Sequence, residues 1–461
     1  MSASFQQVPQ QYNSLLGEED IPAQLLPGKQ SRMVPCTTAI KAVRTSSASV
    51  QPSSTALFQI NTGAGSGYIK PNSVYLTGTL TLSFGATGPN PSWRFSGPKQ
   101  ASFGGVGLGD NTGVHSASAM ISRLTVSNGS QQITQIQNYN VYHDMLLAHG
   151  ASTTYTAIDS AVYEFAGVVR NVSAVPTANE STIRFAIPLI SALWGTGDQA
   201  VPCYLLNAPI NVEVLTNSIA DAFVTNNLPI NNYVLSDLQL CYEEIQVSAE
   251  LKNAVMDRLR QGQVWRQFMN SVYTLNTSAE NGNAFNIGTG VSSLKGIMWA
   301  DRQPATGRVS AIATTGDLIL NGFSNCRFNL DGRNINQFDL TNDTIVYSEL
   351  NRSIQSLHDS NHTSILTKNY APAIGNDPWY DFNLNRFVVG CSTQAVADYS
   401  VGFSGQPCQM ATIQHFNQTP VNDPDFPYVN EAFIAGAQRI YVLLYDELLT
   451  IDANGTCSLI R

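Results

Sequence analysis

Hydrophobic and polar residues alternate along much of this chain. In SVYLTGTLTLSF, residues 73–84, apolar side chains return at every second position or nearly so. A period of two is typical of a β-strand that buries one face and exposes the other to water. The face expected to be buried comprises Val74, Leu76, Leu80, Leu82 and Phe84.

Similar alternation predicts strands on both sides of residue 265. The ranges are 121–126, 182–187, 210–215, 234–242, 272–276, 294–300, 317–323, 326–330, 386–390, 409–414 and 439–445. Three stretches follow a helical period instead, at 136–150, 248–262 and 341–357. In the second of them, Ser248 fits the N-terminal cap and Gly262 fits the end. We therefore expect mostly β-structure with a few short helices.

The two halves of the sequence repeat each other at an offset of about 203 residues. Each half has an Arg-containing strand, a tight turn at Asn-Gly or Asp-Gly, a helix, several strands and a last strand with two acidic residues. The matched pairs are Gly129 with Gly332, Leu147 with Leu350, Leu240 with Leu443 and Tyr242 with Tyr445, and RFAIPL matches RFVVGC at an offset of 202. A period of this length indicates two complete β-domains rather than a solenoid.

Charge limits the kinds of partner that the chain can bind. Charged residues make up 12% of the sequence and the net charge is −9. No run of Lys and Arg is present, so we expect no direct binding to nucleic acid. A weakly charged surface also lowers the cost of removing water when proteins pack together.

The cysteines and the N-terminus indicate a reducing compartment and no secretory signal. The seven cysteines form no CxxC pair and match no zinc pattern, so free, mostly buried thiols are expected. The first residues, MSASFQQVPQQYN, lack the basic and apolar regions of a signal peptide. No stretch of 18 apolar residues predicts a membrane span.

Side chains that could carry out chemistry form no convincing set. His358 and His362 stand four apart, but the helical pattern ends near Leu357 and no third metal ligand is evident. The acidic pairs Glu243–Glu244 and Asp446–Glu447 recur in both halves. Neighbouring residues of a strand point to opposite faces, so a repeated structural role is expected rather than acid–base catalysis. We predict no catalytic, metal or cofactor site, and no enzyme activity.

Four stretches resemble the double jelly-roll major capsid proteins of tailless icosahedral double-stranded DNA viruses, in the polinton-like and virophage-like branch of the tectivirus–adenovirus lineage. Two are strand–turn–helix segments, SRLTVSNGSQQITQIQNYNVYHDMLL at 122–147 and FNLDGRNINQFDLTNDTIVYSELNRSI at 328–354. The other two, residues 386–414 and 439–455, are similar to closing strands of that family. Together they cover about a quarter of the chain.

The resemblance implies an all-β fold of two consecutive eight-stranded jelly rolls with a few short helices. The expected divisions are an N-terminal arm at 1–50, a first jelly roll at 51–247, a helical connector at 248–264 and a second jelly roll at 265–461. It also implies a homotrimer that forms a pseudo-hexameric capsomer, because two similar domains in each of three chains give six similar corners.

The same resemblance implies partners and a location. The partners would be neighbouring capsomers, penton proteins and minor capsid proteins, and the arm could contact an internal membrane. The location would be the virion, after synthesis in the host cytoplasm or nucleus. Because the chain is acidic, we expect it not to neutralise the negative charge of the genome. Separate basic proteins or an internal membrane would then lie between the shell and the genome, and the sequence does not distinguish the two.

Two other functions remain open from sequence. A β-sandwich that binds glycans would need exposed aromatic and acidic residues, for example in WRF at 93–95 or DPWYDF at 377–382. A carbohydrate-active enzyme would need two carboxylates facing each other across a cleft, and no such pair is evident.

Overall fold

The structure is a computed structural model of the 461-residue chain. The residues that it describes are 36–85, 92–97, 116–149, 170–171, 180–194, 199–225, 230–280, 282, 284–302, 318–355, 387–395, 403–417, 434 and 436–461. Strands dominate these residues and the helices are short, which confirms the predicted all-β class.

The first half of the chain supplies fourteen strands among the described residues. They are β1 (Cys36–Arg44), β2 (Ser49–Val50), β3 (Thr55–Ile60), β4 (Tyr68–Ile69), β5 (Tyr75–Phe84), β6 (Ser92–Phe95), β7 (Ile121–Asn128), β8 (Gln131–Gln137), β9 (Arg170–Asn171), β10 (Glu180–Pro188), β11 (Val201–Pro202), β12 (Ile210–Thr216), β13 (Phe223–Thr225) and β14 (Ile230–Val247). The second half supplies nine strands among the described residues. These strands are β15 (Trp265–Ser278), β16 (Ala284–Arg302), β17 (Leu318–Ile319), β18 (Phe323–Leu330), β19 (Arg333–Asn334), β20 (Val389–Ser392), β21 (Gln406–Asn417), β22 (Gln438–Ile451) and β23 (Cys457–Ile460). The α-helices are α1 (Tyr139–His149), α2 (Ile219–Ala222), α3 (Ala249–Arg260) and α4 (Asp343–Gln355).

Two sheets face each other in the first half. One has the order β10-β5-β14-β4-β11, with β1 and β2 also paired to β14, and the other has the order β3-β12-β7-β8. Ala56 and Val214 of the second sheet line the same small cavity as Leu76 and Phe185 of the first sheet. The core therefore lies between the two sheets, as in a β-sandwich.

The core face of β5 is the one that alternation predicts. Val74, just before the strand, and Leu76, Leu80, Leu82 and Phe84 within it are all buried. Each intervening side chain of β5 is partly exposed. Alternation thus fixes which face of this strand meets the opposite sheet.

In the second half, one long strand serves both layers. The first part of β16 pairs with β21, and its last part pairs with β22, β20 and β17. The ring of Trp299, on the last part of β16, contacts the ring of His415 on β21 at 4.6 Å between centroids. The two parts of the ladder therefore face each other across a core, and β-bulges between Gly288 and Gly296 allow β16 to bend.

The strand pairings of the two halves correspond to each other. In the first half β5 lies between β14 and β10, and in the second half the last part of β16 lies between β22 and β20. The hairpin of β7 and β8 pairs with β12, just as the hairpin of β18 and β19 pairs with β21. The predicted internal repeat is thus present as a repeated topology.

Both predicted tight turns are hairpins, but they differ by one residue. In the second, Leu330 pairs with Arg333, and the loop residues Asp331 and Gly332 both have positive φ, as Asp-Gly predicts. In the first, Asn128 itself pairs with Gln131, so that the loop begins at Gly129, which has φ +56°. The Asn128 side chain is held instead by the carbonyl of Ala208.

The helices confirm the predicted pattern with one correction. The structure places α3 between β14 and β15, with Ser248 Oγ accepting from the Leu251 amide and Gly262 at φ +90° after its end. The first predicted helix was expected from Ile136, but α1 begins at Tyr139. Ile136 pairs with Leu124 in the hairpin, because strand pairing prevails over helical periodicity at this end.

Part of the predicted N-terminal arm forms a strand. Residues 36–44 are β1, which runs antiparallel along β14 from Gln239 to Val247. Residues 1–35 lie outside the described residues. Eight of the nine residues of β1 are exposed, and Ile40 is 75% exposed.

The cysteines agree with the prediction of free and mostly buried thiols. All seven are unpaired, six are buried and Cys36 is exposed. Burial raises the pKa of the Cys203 thiol to about 12, which keeps it protonated and unreactive. In the described part of the chain, no helix is both long and apolar enough to cross a membrane.

Candidate functional site

The acidic pair of the first half is held by lysines from two directions. The Glu243 carboxylate lies 2.7 Å from Lys70 Nζ, and the Glu244 carboxylate lies 2.9 Å from Lys41 Nζ. Burial acts to raise the pKa of Glu244, but hydrogen bonds from the Gly67 amide and Lys41 outweigh it and lower that pKa. Both groups thus fasten neighbouring segments to β14.

The acidic pair of the second half has the same organisation on β22. Asp446 Oδ1 lies 3.3 Å from Lys295 Nζ, while Glu447 Oε1 accepts from Arg461 Nε at 2.6 Å and Glu447 also accepts from Ser271. Asn270 pairs with Asp446 and Ser271 with Glu447 across the ladder, so the two carboxylates point to opposite faces. Both acidic pairs thus hold neighbouring strands together through ion pairs and hydrogen bonds.

A buried Arg–Asp pair lies at the centre of the second half. Arg439 donates to both oxygens of Asp301, at 2.6 and 2.7 Å, and both side chains are almost completely buried. The guanidinium also stacks over the Trp299 ring, 4.7 Å from its centroid. His415 Nε2 lies 2.7 Å from Tyr441 Oη, and burial, together with Arg439, lowers the pKa of His415 well below its usual value. The Arg439–Asp301 pair is buried and both carboxylate oxygens are hydrogen-bonded, which is the condition under which a buried ion pair supports the fold.

The sequence pattern did not predict this network. Alternation in RIYVLLY predicted a strand, but β22 is buried on both faces over most of its length. The available signal was a single Arg at the start of a run that is otherwise apolar. Such a residue, if buried, needs an acidic partner, and Asp301 could have been sought for that reason.

A tight turn that follows β22 forms hydrogen bonds with the first half of the chain. The amide of Asn207 donates to the Gly455 carbonyl at 3.2 Å, and Asn207 Nδ2 donates to the Asn454 carbonyl at 3.0 Å. Gly455 has φ +75°, and a Cβ at this position would lie 2.5 Å from the Leu205 carbonyl oxygen. The close approach of the two halves therefore requires glycine here.

Further contacts fix the orientation of the halves elsewhere along the junction. The buried Arg302 guanidinium donates to Ser96 Oγ at 2.8 Å. Thr274 Oγ1, on β15, donates to the carbonyl of Gln137, at the end of β8, at 2.6 Å. The Tyr68 and Trp265 rings lie 6.3 Å apart. Polar and aromatic contacts of this kind specify one arrangement, since any other would leave buried groups unpaired.

The remaining sequence candidates do not converge on a binding site in the described residues. His358, His362 and residues 377–382 lie outside them. Trp93 and Phe95 are buried and pack against Phe223, so this stretch offers no aromatic platform to a glycan. Within the described ranges, no three His, Cys, Asp or Glu side chains are placed to hold a metal ion.

Two β-sandwiches of corresponding topology, consecutive in one chain and joined side by side, define the double jelly-roll fold. Solved structures of this fold match nearly the whole chain. The crystal structure of PBCV-1 VP54, fitted into a cryo-EM reconstruction of the virophage Sputnik, is 11% identical, with a TM-score of 0.60 over 93% of this chain and 98% of that one. The Faustovirus major capsid protein is 7% identical, with a TM-score of 0.55 over 95% and 96%. The mavirus major capsid protein is 9% identical, with a TM-score of 0.50 over 95% and 93%.

These likenesses confirm the fold that the sequence resemblance implied. At 7–11% identity, they establish the fold and not the function. No protein-family profile matches the sequence. No curated protein matches it either.

Proposed function

We propose that this protein is a major capsid protein that forms homotrimers, each of them a pseudo-hexameric capsomer of an icosahedral virus shell. The observation that most supports this is the match over 95% of the chain to the Faustovirus major capsid protein, of which 96% is covered. Both jelly rolls and their side-by-side placement are thus shared, and not only one β-sandwich. The proposed location is the virion, and the proposed role is structural, without enzyme activity or cofactor.

The geometry of the junction fits this role. Contacts at Gly455 and Arg302 hold two similar sandwiches in one orientation. Three such chains around a threefold axis place six similar sandwiches in a ring, and a hexagonal tile covers a large shell with few kinds of contact. We propose the divisions 51–247 and 265–461 for the two jelly rolls and 248–264 for the connector, with β1 and β2 added to the first jelly roll because both pair with β14. Neighbouring capsomers, penton proteins and minor capsid proteins are the proposed partners.

Native mass spectrometry of the purified full-length chain tests the trimer. We expect a dominant species of three times the 49.9 kDa chain mass at micromolar concentration. A chain that stays monomeric under these conditions would contradict the proposal. A glycan array is the matching test of the alternative, and we expect no binding, because Trp93 and Phe95 are buried.

The arm and β1 are expected to have separable roles. We propose that residues 1–35 act in assembly by contacting the shell or an internal membrane, and that residues 36–44 complete the sheet. Deleting 1–35 should leave the melting temperature of the trimer unchanged and abolish assembly into larger particles. Deleting 1–47 should also lower the melting temperature and cause aggregation, because one edge of β14 would lose its partner from Gln239 to Val247. Equal melting temperatures for the two deletions would show that β1 does not stabilise the sheet.

A further inference from the structure

Three polar side chains meet on adjacent strands of the second half. Lys295 Nζ, from β16, lies 2.8 Å from Asn270 Oδ1 on β15 and 3.3 Å from Asp446 Oδ1 on β22. Since β22 lies between the other two strands, its aspartate is placed beside both the amine and the amide. These groups are the components of an amide-exchange reaction: an amine as nucleophile, a carboxamide as electrophile and a carboxylate for proton transfer.

Lys295 lies in a β-bulge of β16. Leu294 pairs with Tyr445 and Gly296 with Leu444, so that Lys295 is an extra residue in a β-bulge. Bulges redirect a side chain, and they occur frequently beside active sites. Asn270, by contrast, is directly opposite Asp446 in an unbroken part of the ladder. The bulge therefore allows a lysine two strands away to reach the amide.

Two of the three groups are almost completely removed from water, and Asn270 is partly exposed. The Lys295 side chain is 0% exposed and that of Asp446 is 5% exposed. The segment at 403–405 covers it, because Ser404 donates to Asp446 Oδ2 through its amide at 2.6 Å and through Oγ at 3.0 Å. A Cβ at Gly405 would lie 2.3 Å from the Leu294 carbonyl oxygen, so this cover packs directly on the bulge.

The hydrogen bonds to Asp446 leave one oxygen for proton transfer. Oδ2 accepts from Ser404 and from Ser293 Oγ, the latter at 2.6 Å, whereas Oδ1 faces Lys295 Nζ. The carboxylate is thus fixed in place before any reaction. Fixed reacting groups lower the entropic part of a barrier, provided that the reacting atoms lie about 3–3.5 Å apart.

We propose that Lys295 and Asn270 form an intramolecular isopeptide bond, with Asp446 as the proton-transfer group. Asp446 takes a proton from the Lys295 ammonium, and the neutral amine attacks Cγ of Asn270 to form a C–N bond. The Cγ–Nδ2 bond breaks, and Nδ2 leaves with the protons passed on by Asp446. Lysine ammonium and asparagine amide become the isopeptide and ammonium, so charge and atoms balance without an oxidant or a cofactor.

The bond would join β15 to β16, the two strands that flank β22 in the sheet. These are the strands that carry the junction contacts Thr274 and Arg302, so the link would reinforce the part of the second half nearest to the first. The corresponding acidic residue of the first half, Glu243, pairs with Lys70, which is 49% exposed. Water has access to that pair, and we expect no bond there. The reaction needs only the folded chain, so its failure would leave the proposed capsid function untouched.

Peptide mapping tests the bond directly. Trypsin cleaves after Arg266 and Arg302, and a Glu-specific protease cleaves after Glu280, which separates Asn270 from Lys295 in the sequence. We expect fragments 267–280 and 281–302 to remain joined, with a total mass lower by about 17 Da, the mass of the ammonia released. Trypsin also cleaves after an unmodified Lys295, so three separate fragments of full mass, 267–280, 281–295 and 296–302, would overturn the proposal. A deficit confined to an unlinked fragment would also overturn it, because Asn-Gly sequences lose ammonia by forming a succinimide.

Variants distinguish the proposed chemistry from a buried ion pair. Lys295→Met and Asn270→Ala should abolish the joined fragment, and Asp446→Asn should reduce its yield at least tenfold while leaving both reacting groups in place. Lys70→Ala is the matched control and should retain the full yield. If a variant fails to fold, the wild-type map alone decides, since it requires no substitution. A joined fragment that persists in Asp446→Asn would remove the assigned role of the aspartate.

Discussion

Replacing Arg439 by alanine is expected to lower the free energy of unfolding by about 3–5 kcal/mol. The substitution leaves the Asp301 carboxylate buried without the guanidinium that now donates to both of its oxygens. It also removes the cation from the face of the buried Trp299 ring. Chemical denaturation followed by tryptophan fluorescence measures the loss as a lower midpoint.

The control for this prediction is an exposed ion pair. Arg260 lies 3.2 Å from Asp257 on the surface of α3, and their side chains are 69% and 61% exposed. Arg260→Ala should leave the midpoint unchanged within error, because water already screens this pair. An equal shift in both variants would mean that the buried pair has no special role in stability.

Replacing Gly455 by alanine is expected to lower the free energy of unfolding by about 3–5 kcal/mol, through backbone strain and overpacking together. The residue has φ +75°, and the new Cβ would lie 2.5 Å from the Leu205 carbonyl oxygen and 2.8 Å from the Asn207 nitrogen. All of these atoms are backbone, so a side-chain rotation cannot relieve the contact. The melting temperature of the purified protein is the measurement.

Gly282 offers a closely matched control for the junction. It has the same φ of +75°, and no atom of the described residues lies within 4 Å of a Cβ built on it. Gly282→Ala should therefore cost only the strain of a left-handed backbone, about 1 kcal/mol. The difference between the two variants isolates the contact between the halves. If the two variants melt at the same temperature, the junction at Gly455 is not required for stability.

The strands of this protein could be predicted from sequence wherever one face is buried and the other is partly exposed. In β5, alternation identifies each buried position from Leu76 to Phe84 except Gly78. In β22 the alternation of apolar and polar residues is lost, because the strand is buried on both faces. An uninterrupted apolar run cannot show which face of a strand meets the core. The repeat at an offset of 203 compensated for this, since it matched β22 to the more clearly patterned β14.

The groups that carry the most chemistry could not be placed by local reasoning. The position of Lys295 depends on a bulge that exists only once β16 has paired with β22. The partnership of Arg439 with Asp301 joins residues 138 apart in sequence. The shifted loop at Gly129 follows from the Ala208 carbonyl, which holds the Asn128 side chain in the strand. In each case a distant segment decides the geometry, and only the folded structure contains it.

In the proposed capsomer, three chains, each with two similar sandwiches held at one junction, form a single hexagonal tile. Cryo-electron microscopy of the purified full-length protein measures this directly. We expect threefold particles in which six β-sandwiches form a ring, with two chemically distinct sandwiches alternating around it. A hexameric particle in which each of six chains supplies one corner would contradict this arrangement. A particle in which the two sandwiches of one chain are not neighbours in the ring would also contradict it.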